Sequence, residues 1–168
     1  RNALCFRNHP AILFEGRTPG KGALTVRFYK NNQMVAEDKV YLDLKTITDM
    51  YERYSVGDGD VEPAAPVLVG NFQYGAKETP DDENYILFVH GWNMPTWEKD
   101  RFAEAMYKRL WHLGYKGRFG LFRWPTEVTD WVVTDPLNYD RSEFRAWKSG
   151  PGLRVHLHDL NGKYPGKV

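Results

Sequence analysis

The run "YILFV", Tyr85–Val89, most constrains what this chain can fold into, because five consecutive apolar residues suit a strand that is covered on both faces. His90 and Gly91 follow it directly. A helix is predicted over Pro95–Leu113, since apolar residues recur four apart on one side and proline is favourable at a helix start; Gly114 supplies a stop. The apolar side comprises Phe102, Met106 and Leu110. Together these signals predict a strand–helix step of an α/β fold.

The following segments continue this alternation. Arg118–Trp124, "RFGLFRW", is predicted to be the next strand. A second amphipathic helix is predicted over Ser142–Leu160, with a break or kink at Gly150–Gly152, because Pro151 interrupts helical hydrogen bonding there. Strand, helix, strand and helix in this order predict the α/β class with a parallel sheet and flanking helices.

The first third of the chain has a different pattern. Apolar and polar residues alternate over 22–44, and Asn31 and Asn32 interrupt the alternation in the middle. Because asparagine tolerates the left-handed backbone of a tight turn, this pattern predicts a β-hairpin with one buried face. Residues 11–16, "AILFEG", predict one further strand.

A domain boundary is predicted just after this β-rich part. A short helix is expected first, since apolar and aromatic residues share one side at helical spacing. These residues are Ile47, Met50, Tyr51 and Tyr54. Glycine, proline and acidic residues are then dense over Ser55–Gly70, which is typical of a linker. We therefore predict a small β-rich, hairpin or sandwich-like accessory segment over 1–62 and an α/β domain over 63–168.

Composition excludes several classes of partner. The 168 residues carry 23 basic and 22 acidic side chains without a block of like charge, so we expect no nucleic-acid partner. The apolar runs are too short to cross a bilayer, so no transmembrane segment is predicted. Cys5 is the single cysteine and cannot form an internal disulfide, which leaves the compartment undetermined.

The second part of the chain carries a family resemblance. The strand "YILFVHGWN" with the helix after it, the strand ending "FRWPT", and the helix "FRAWKSGPGLRVHLHDL" leading into "GKYPGKV" follow one another in order. Over roughly 85–168 they resemble the N-terminal half of an α/β-hydrolase of the lipase and esterase type. The resemblance implies part of an α/β-hydrolase sheet.

The resemblance also implies a role for the end of the first strand. In that family a strand ends in His-Gly, and backbone amides of the following loop help to form an oxyanion hole. Here the corresponding residues are His90, Gly91, Trp92 and Asn93, with His90 orienting the loop and the Trp92 amide as the donor. The alternative interpretation is that His90 is a hydrogen-bonded core histidine and Trp92 a packing residue.

The nucleophile of that family is missing from these residues. A G-x-S-x-G elbow does not occur, and none of Ser55, Ser142 and Ser149 has its flanking glycines. In the family, the elbow would lie a few residues after Val168, since "YPGKV" corresponds to the start of the next strand. We therefore expect no catalytic triad residue in this chain.

Other candidate sites have weaker support. Trp124 and Trp131 are candidates for lining an acyl or sugar pocket, with packing under a long loop as the alternative interpretation; the same holds for Trp147. His156 and His158 lie two apart on a predicted helix and point to different faces, and "GDGD", 57–60, lacks the remaining positions of a calcium loop. We predict no metal site and no cofactor.

Two functions from different classes follow. In the first, the chain is part of a serine hydrolase acting on an ester or acyl substrate, which requires that the parent chain continue. In the second, it is a non-catalytic structural or binding subunit, which associates with a protein partner or with itself through an open sheet edge.

Overall fold

The computed structural model describes residues 16–59, 61–69, 84–115, 117–126 and 136–168, excluding the side chains of 136–138. The chain divides into two compact units, Arg1–Thr46 and Ile47–Val168, and the boundary predicted after residue 62 falls within the second of them. The strand predicted over 11–16, Cys5 and Trp131 fall outside the described residues, apart from residue 16 itself.

The first unit contains the predicted hairpin. Strand β1, Gly20–Lys30, pairs antiparallel with β2, Gln33–Leu44. Asn31 and Asn32 form the turn with φ values of 50° and 62°, the left-handed conformation that the sequence predicted.

The two faces of this hairpin differ in chemistry. Arg27 and Lys39 both pair with Glu37 on one face, each at 2.6 Å. The opposite face carries Leu24 and Phe28, of which Phe28 is 56% exposed. The prediction of a buried face is therefore wrong, because a ribbon of two strands covers neither of its own faces.

The second unit contains a mixed sheet in the order β4-β3-β6-β5. These strands are β3, Glu52–Ser55; β4, Val67–Leu68; β5, Tyr85–Val89; and β6, Arg118–Arg123. Strands β3 and β5 both run parallel to β6, and β4 is antiparallel to β3. The α/β class and the two strands predicted from "YILFV" and "RFGLFRW" are confirmed.

Two predictions near the start of this unit are wrong. The helix predicted between Ile47 and Tyr54 is a single 3-10 turn, Ile47–Asp49, followed by β3. The segment predicted as a linker is attached to the sheet: Val56 donates its N–H to the Arg123 carbonyl at 3.0 Å, and Val69 donates to the Arg53 carbonyl at 2.6 Å. Hydrogen bonding with the neighbouring strand β6 outweighs the helical preference that the spacing of apolar residues indicates.

Two helices cover opposite faces of this sheet. Helix α1, Thr96–His112, packs through Ala103 and Tyr107 on Phe119 and Leu121. Its bounds agree with the prediction, and Gly114 follows it with a φ of 97°. The predicted apolar side is shifted, since Phe102 is largely exposed and stacks on Phe88 at 5.4 Å.

Helix α2, Pro136–Lys163, packs on the other face through His156 and Leu160. The predicted break is absent, because the helix continues through Pro151. Proline deprives the Trp147 carbonyl of its helical partner, and Trp147 lies on the exposed side of the helix, where water can replace that partner. Neither helix of the described residues has the length and hydropathy needed to cross a membrane.

Candidate functional site

Three segments meet where the parallel strands end. Residues 56–59 follow β3, residues 90–95 follow β5, and residues 124–126 follow β6. In open α/β sheets the crevice outside the carboxyl ends of the strands is the usual ligand site. We call residues His90–Asn93 the strand-end loop.

His90 joins the ends of β5 and β6. Its side chain is buried, with 3% of the residue exposed. The Trp124 backbone N–H donates to Nε2 of His90 at 3.1 Å, and the Trp124 indole N–H donates to the His90 carbonyl at 2.9 Å. The two rings stack at 5.3 Å with an interplanar angle of 3°. His90 is therefore buried and hydrogen-bonded where these two strands end, which fits both interpretations of it.

The hydrogen bonds of His90 favour one of its two neutral tautomers. Nδ1 lies 2.8 Å from the Gly91 carbonyl oxygen, an acceptor, which favours the tautomer in which Nδ1 carries the proton, whereas Nε2 lies 3.1 Å from both the Trp124 nitrogen and the Trp124 carbonyl oxygen. In that tautomer Nε2 is unprotonated and accepts the Trp124 N–H. Burial lowers the pKa of His90 to about 4, and the positive charge of Lys99 acts in the same direction. The ring is neutral at pH 7.

This tautomer orients the next peptide group. In a trans peptide the C=O of one residue and the N–H of the next point in opposite directions. Because His90 holds the Gly91 carbonyl, the Trp92 N–H points away from the His90 ring. Among the described residues that N–H has no acceptor. The Asn93 N–H differs, since it donates to Thr126 Oγ1 at 3.0 Å.

The other residues predicted for the site, Gly91, Trp92 and Trp124, differ in what surrounds them. Gly91 is exposed, and a Cβ added there would meet no atom within 4 Å. The Trp92 ring meets Tyr139 edge-on at 5.3 Å, and its indole N–H is buried without an acceptor in the described part of the chain. His90 covers one face of the Trp124 ring, so Trp124 packs against the loop at least on that side.

The sequence did not predict an ion-pair network around the buried side chains of Lys99 and Arg123. The Lys99 ammonium is fully buried and donates to Asp58 at 2.8 Å and to the Trp124 carbonyl at 3.1 Å. Arg123 lies 3.4 Å from Asp58 and 3.6 Å from Asp100. Burial lowers the pKa of Lys99, whereas Asp58 raises it. Asp58, interpreted as part of a linker, therefore anchors α1 to the site.

The other candidates lie elsewhere. His156 is buried between Tyr54 and Phe122, with ring centroids 4.0 and 5.7 Å away, whereas His158 is exposed. Within the described ranges, no group of three or more histidine, cysteine or acidic residues is arranged to hold a metal ion. A surface depression lined by Pro151, Arg154 and Val155 lies on α2, and none of these residues belongs to the strand-end loop.

The described serines are engaged in local contacts. Ser149 Oγ donates to the Arg145 carbonyl within α2 at 2.7 Å, and the Ser55 hydroxyl bonds the backbone of Gly57 at 3.1 Å. Ser142 is buried in α2. None of them follows a strand at a sharp turn into a helix.

No protein-family model matches this chain. The comparisons with curated proteins and with solved structures also find no match. The assignment of function therefore depends on the geometry of the strand-end loop.

Acid should destabilise the second unit through His90. In the unfolded chain a histidine has a pKa near 6.5, and in the fold His90 has a pKa of about 4. The unfolded state therefore binds more protons in this interval, and stability is complete above pH 6.5 and falls as the pH is lowered to 4. The loss amounts to about 3 kcal/mol. Burial also lowers the pKa of His156, which adds to the loss.

Urea unfolding at pH 7.0, 6.0 and 5.0 measures this effect in an interval where most carboxylates stay ionised. We expect the free energy of unfolding to fall by roughly 1.4 kcal/mol per pH unit below pH 6. His90→Gln should remove most of that slope, and His156→Gln should remove less. A flat profile in the unsubstituted protein would show that His90 is not shielded as described.

Proposed function

We propose that this chain supplies the oxyanion-binding half of a serine hydrolase acting on esters. The supporting observation is the Trp92 N–H, which has no acceptor in the described residues and belongs to a peptide whose direction is fixed by His90. Attack on an ester carbonyl places negative charge on oxygen. A fixed backbone donor stabilises that charge without reorganising.

The surroundings of the loop favour an anionic oxygen. Gly91 leaves open space for a ligand, because nothing lies within 4 Å of where its side chain would be. Helix α1 begins at Thr96, and the amino end of a helix carries partial positive charge. The buried Lys99 ammonium contacts the Trp124 carbonyl at 3.1 Å, and Asp58 at 2.8 Å balances its charge. The open space at Gly91 and the amino end of α1 therefore act in the direction that the proposal requires.

The nucleophile in this proposal arrives on a strand paired with β5. Strand β5 is at one end of the sheet order, so one edge of it lacks a neighbouring strand among the described residues. The Tyr85 N–H donates to the Lys167 carbonyl at 2.6 Å, so the segment after α2 runs beside that edge. A strand continuing from there, or one from a partner chain, would carry a serine next to the strand-end loop.

The isolated chain should not react with a serine-directed fluorophosphonate. We expect no covalent label on residues 1–168 by mass spectrometry, because Ser55 and Ser149 are held in local hydrogen bonds and Ser142 is buried. A serine hydrolase of known activity, treated in parallel, serves as the positive control. Stoichiometric labelling of any serine in this chain would contradict the proposal as stated.

A second candidate function is that of a non-catalytic subunit that associates through β5. The observation that favours it is the apolar border of this edge, where Val89 is 42% exposed and Phe102 stacks on Phe88. An edge strand offers unpaired N–H and C=O groups to another chain.

Association of the isolated chain can be measured by sedimentation velocity. We expect a species larger than the monomer at concentrations near 100 µM, roughly the range of weak edge contacts. Val89→Lys should return it to the monomer, since charge on an edge opposes pairing. Val155→Lys is the matched control, because Val155 is 50% exposed and lies on α2, not on the strand edge. A monomeric unsubstituted chain would remove this candidate.

A further inference from the structure

The buried ammonium of Lys99 contacts the same residue that binds the His90 ring. Lys99 donates to the Trp124 carbonyl at 3.1 Å, and it is fully buried. Nε2 of His90 lies 3.1 Å from that carbonyl oxygen and also 3.1 Å from the Trp124 backbone nitrogen. Nε2 therefore faces an acceptor and a donor at equal distance, and distance alone does not select its protonation.

Lys99 removes this ambiguity. A proton on Nε2 would make the ring donate to the Trp124 carbonyl, while the Trp124 N–H would then face a second donor. The ammonium already occupies one lone pair of that carbonyl, and its charge repels another positive hydrogen. With the proton on Nδ1, by contrast, the ring donates to the Gly91 carbonyl and accepts from the Trp124 N–H.

We propose that Lys99 is a positioning residue that selects the Nδ1–H tautomer of His90 and thereby fixes the Gly91–Trp92 peptide. The significance of that peptide for an oxyanion rests on the proposed function, but the choice of tautomer does not. Lys99 acts from α1 through the Trp124 carbonyl on His90, and His90 in turn holds the carbonyl of Gly91.

Nitrogen-15 NMR of the His90 ring at pH 7.5 tests the proposal, because the two neutral tautomers have opposite shifts at Nδ1 and Nε2. In the unsubstituted protein we expect Nδ1–H to dominate; a dominant Nε2–H form would overturn the proposal without any variant. In Lys99→Met we expect the ratio of Nε2–H to Nδ1–H to rise on the order of fivefold, the effect of one hydrogen bond. An unchanged ratio in a folded Lys99→Met protein would also overturn it.

Asp58→Asn provides the matched control. It removes the charged partner of Lys99 and leaves the contact between Lys99 and the Trp124 carbonyl, so we expect the tautomer to stay Nδ1–H. In Lys99→Met, Asp58 keeps Arg123 as a partner at 3.4 Å, which limits the damage to the fold. If Asp58→Asn shifts the ratio as much as Lys99→Met does, loss of the ion pair is the cause and the proposal fails.

NMR of these variants also tests the role of Lys99 independently of the proposed hydrolase function. If the Trp92 amide resonance shifts in Lys99→Met but not in Asp58→Asn, Lys99 fixes the peptide whether or not the chain belongs to a hydrolase. An absence of hydrolase activity would leave the tautomer result intact. An unchanged Trp92 amide resonance in all three proteins would contradict the coupling to the peptide.

Discussion

Glu52→Ala is expected to lower the free energy of unfolding by about 3–5 kcal/mol, the cost of breaking a buried charged network. Glu52 is 2% exposed and accepts hydrogen bonds from Tyr85 and Tyr164, each at 3.0 Å, and from Lys163 at 2.6 Å. Strand β3, strand β5 and the end of α2 are therefore joined at one carboxylate. Its removal leaves two buried hydroxyls without their acceptor.

Glu62→Ala is the matched control for this prediction. Glu62 also pairs with a lysine of α2, Lys148, at 2.8 Å, but both side chains are largely exposed. Exposed ion pairs contribute roughly 0–1 kcal/mol, so the control should unfold at nearly the urea concentration of the unsubstituted protein. Similar midpoints for the two variants would show that Glu52 does not join these elements.

Trp92→Pro is expected to reduce kcat for a short-chain ester by about 10²–10³-fold, the effect of removing one oxyanion donor. The measurement uses the complete product of the gene that encodes these 168 residues. Proline has no backbone N–H, so the substitution deletes the donor that the Gly91–Trp92 peptide directs away from His90. The effect should appear in kcat, because the charge develops only in the transition state.

Trp92→Ala separates the backbone from the side chain. It also lacks the indole but keeps the N–H, and we expect kcat to change by less than about tenfold. The His90 ring resonances show whether each variant keeps the loop fold, because His90 Nδ1 donates to the Gly91 carbonyl next to the substituted residue. Equal losses in the two variants would assign the effect to the indole, and the oxyanion role of the amide would be wrong.

Local sequence patterns predict the elements that one short stretch of residues specifies by itself. Tyr85–Val89, α1 and the Asn31–Asn32 turn were all found in this way. The predictions are wrong where residues distant in the sequence determine the local structure. Strand β3 was predicted as helix because Ile47, Met50 and Tyr51 have helical spacing, yet parallel pairing with β6 fixes it as a strand.

In the candidate site, too, some residues are predicted by a local pattern and others are brought together only by the fold. The residues of the strand-end loop were found because a buried strand ended in His-Gly. Lys99 was missed, although it lies four residues before Ala103 on the buried side of α1 and was detectable from that spacing. Its partner Asp58 lies 41 residues earlier, in a stretch whose glycines and acidic residues indicate a linker, and only the fold brings the two together.

Fluorophosphonate labelling of the complete gene product, followed by peptide mapping, tests the proposed hydrolase function most directly. We expect one labelled serine, and we expect it to lie outside residues 1–168. We also expect Trp92→Pro to slow labelling much more than Trp92→Ala does. A complete, folded gene product that takes no label, or one labelled at Ser55, Ser142 or Ser149, would contradict the assignment of the strand-end loop to a serine hydrolase.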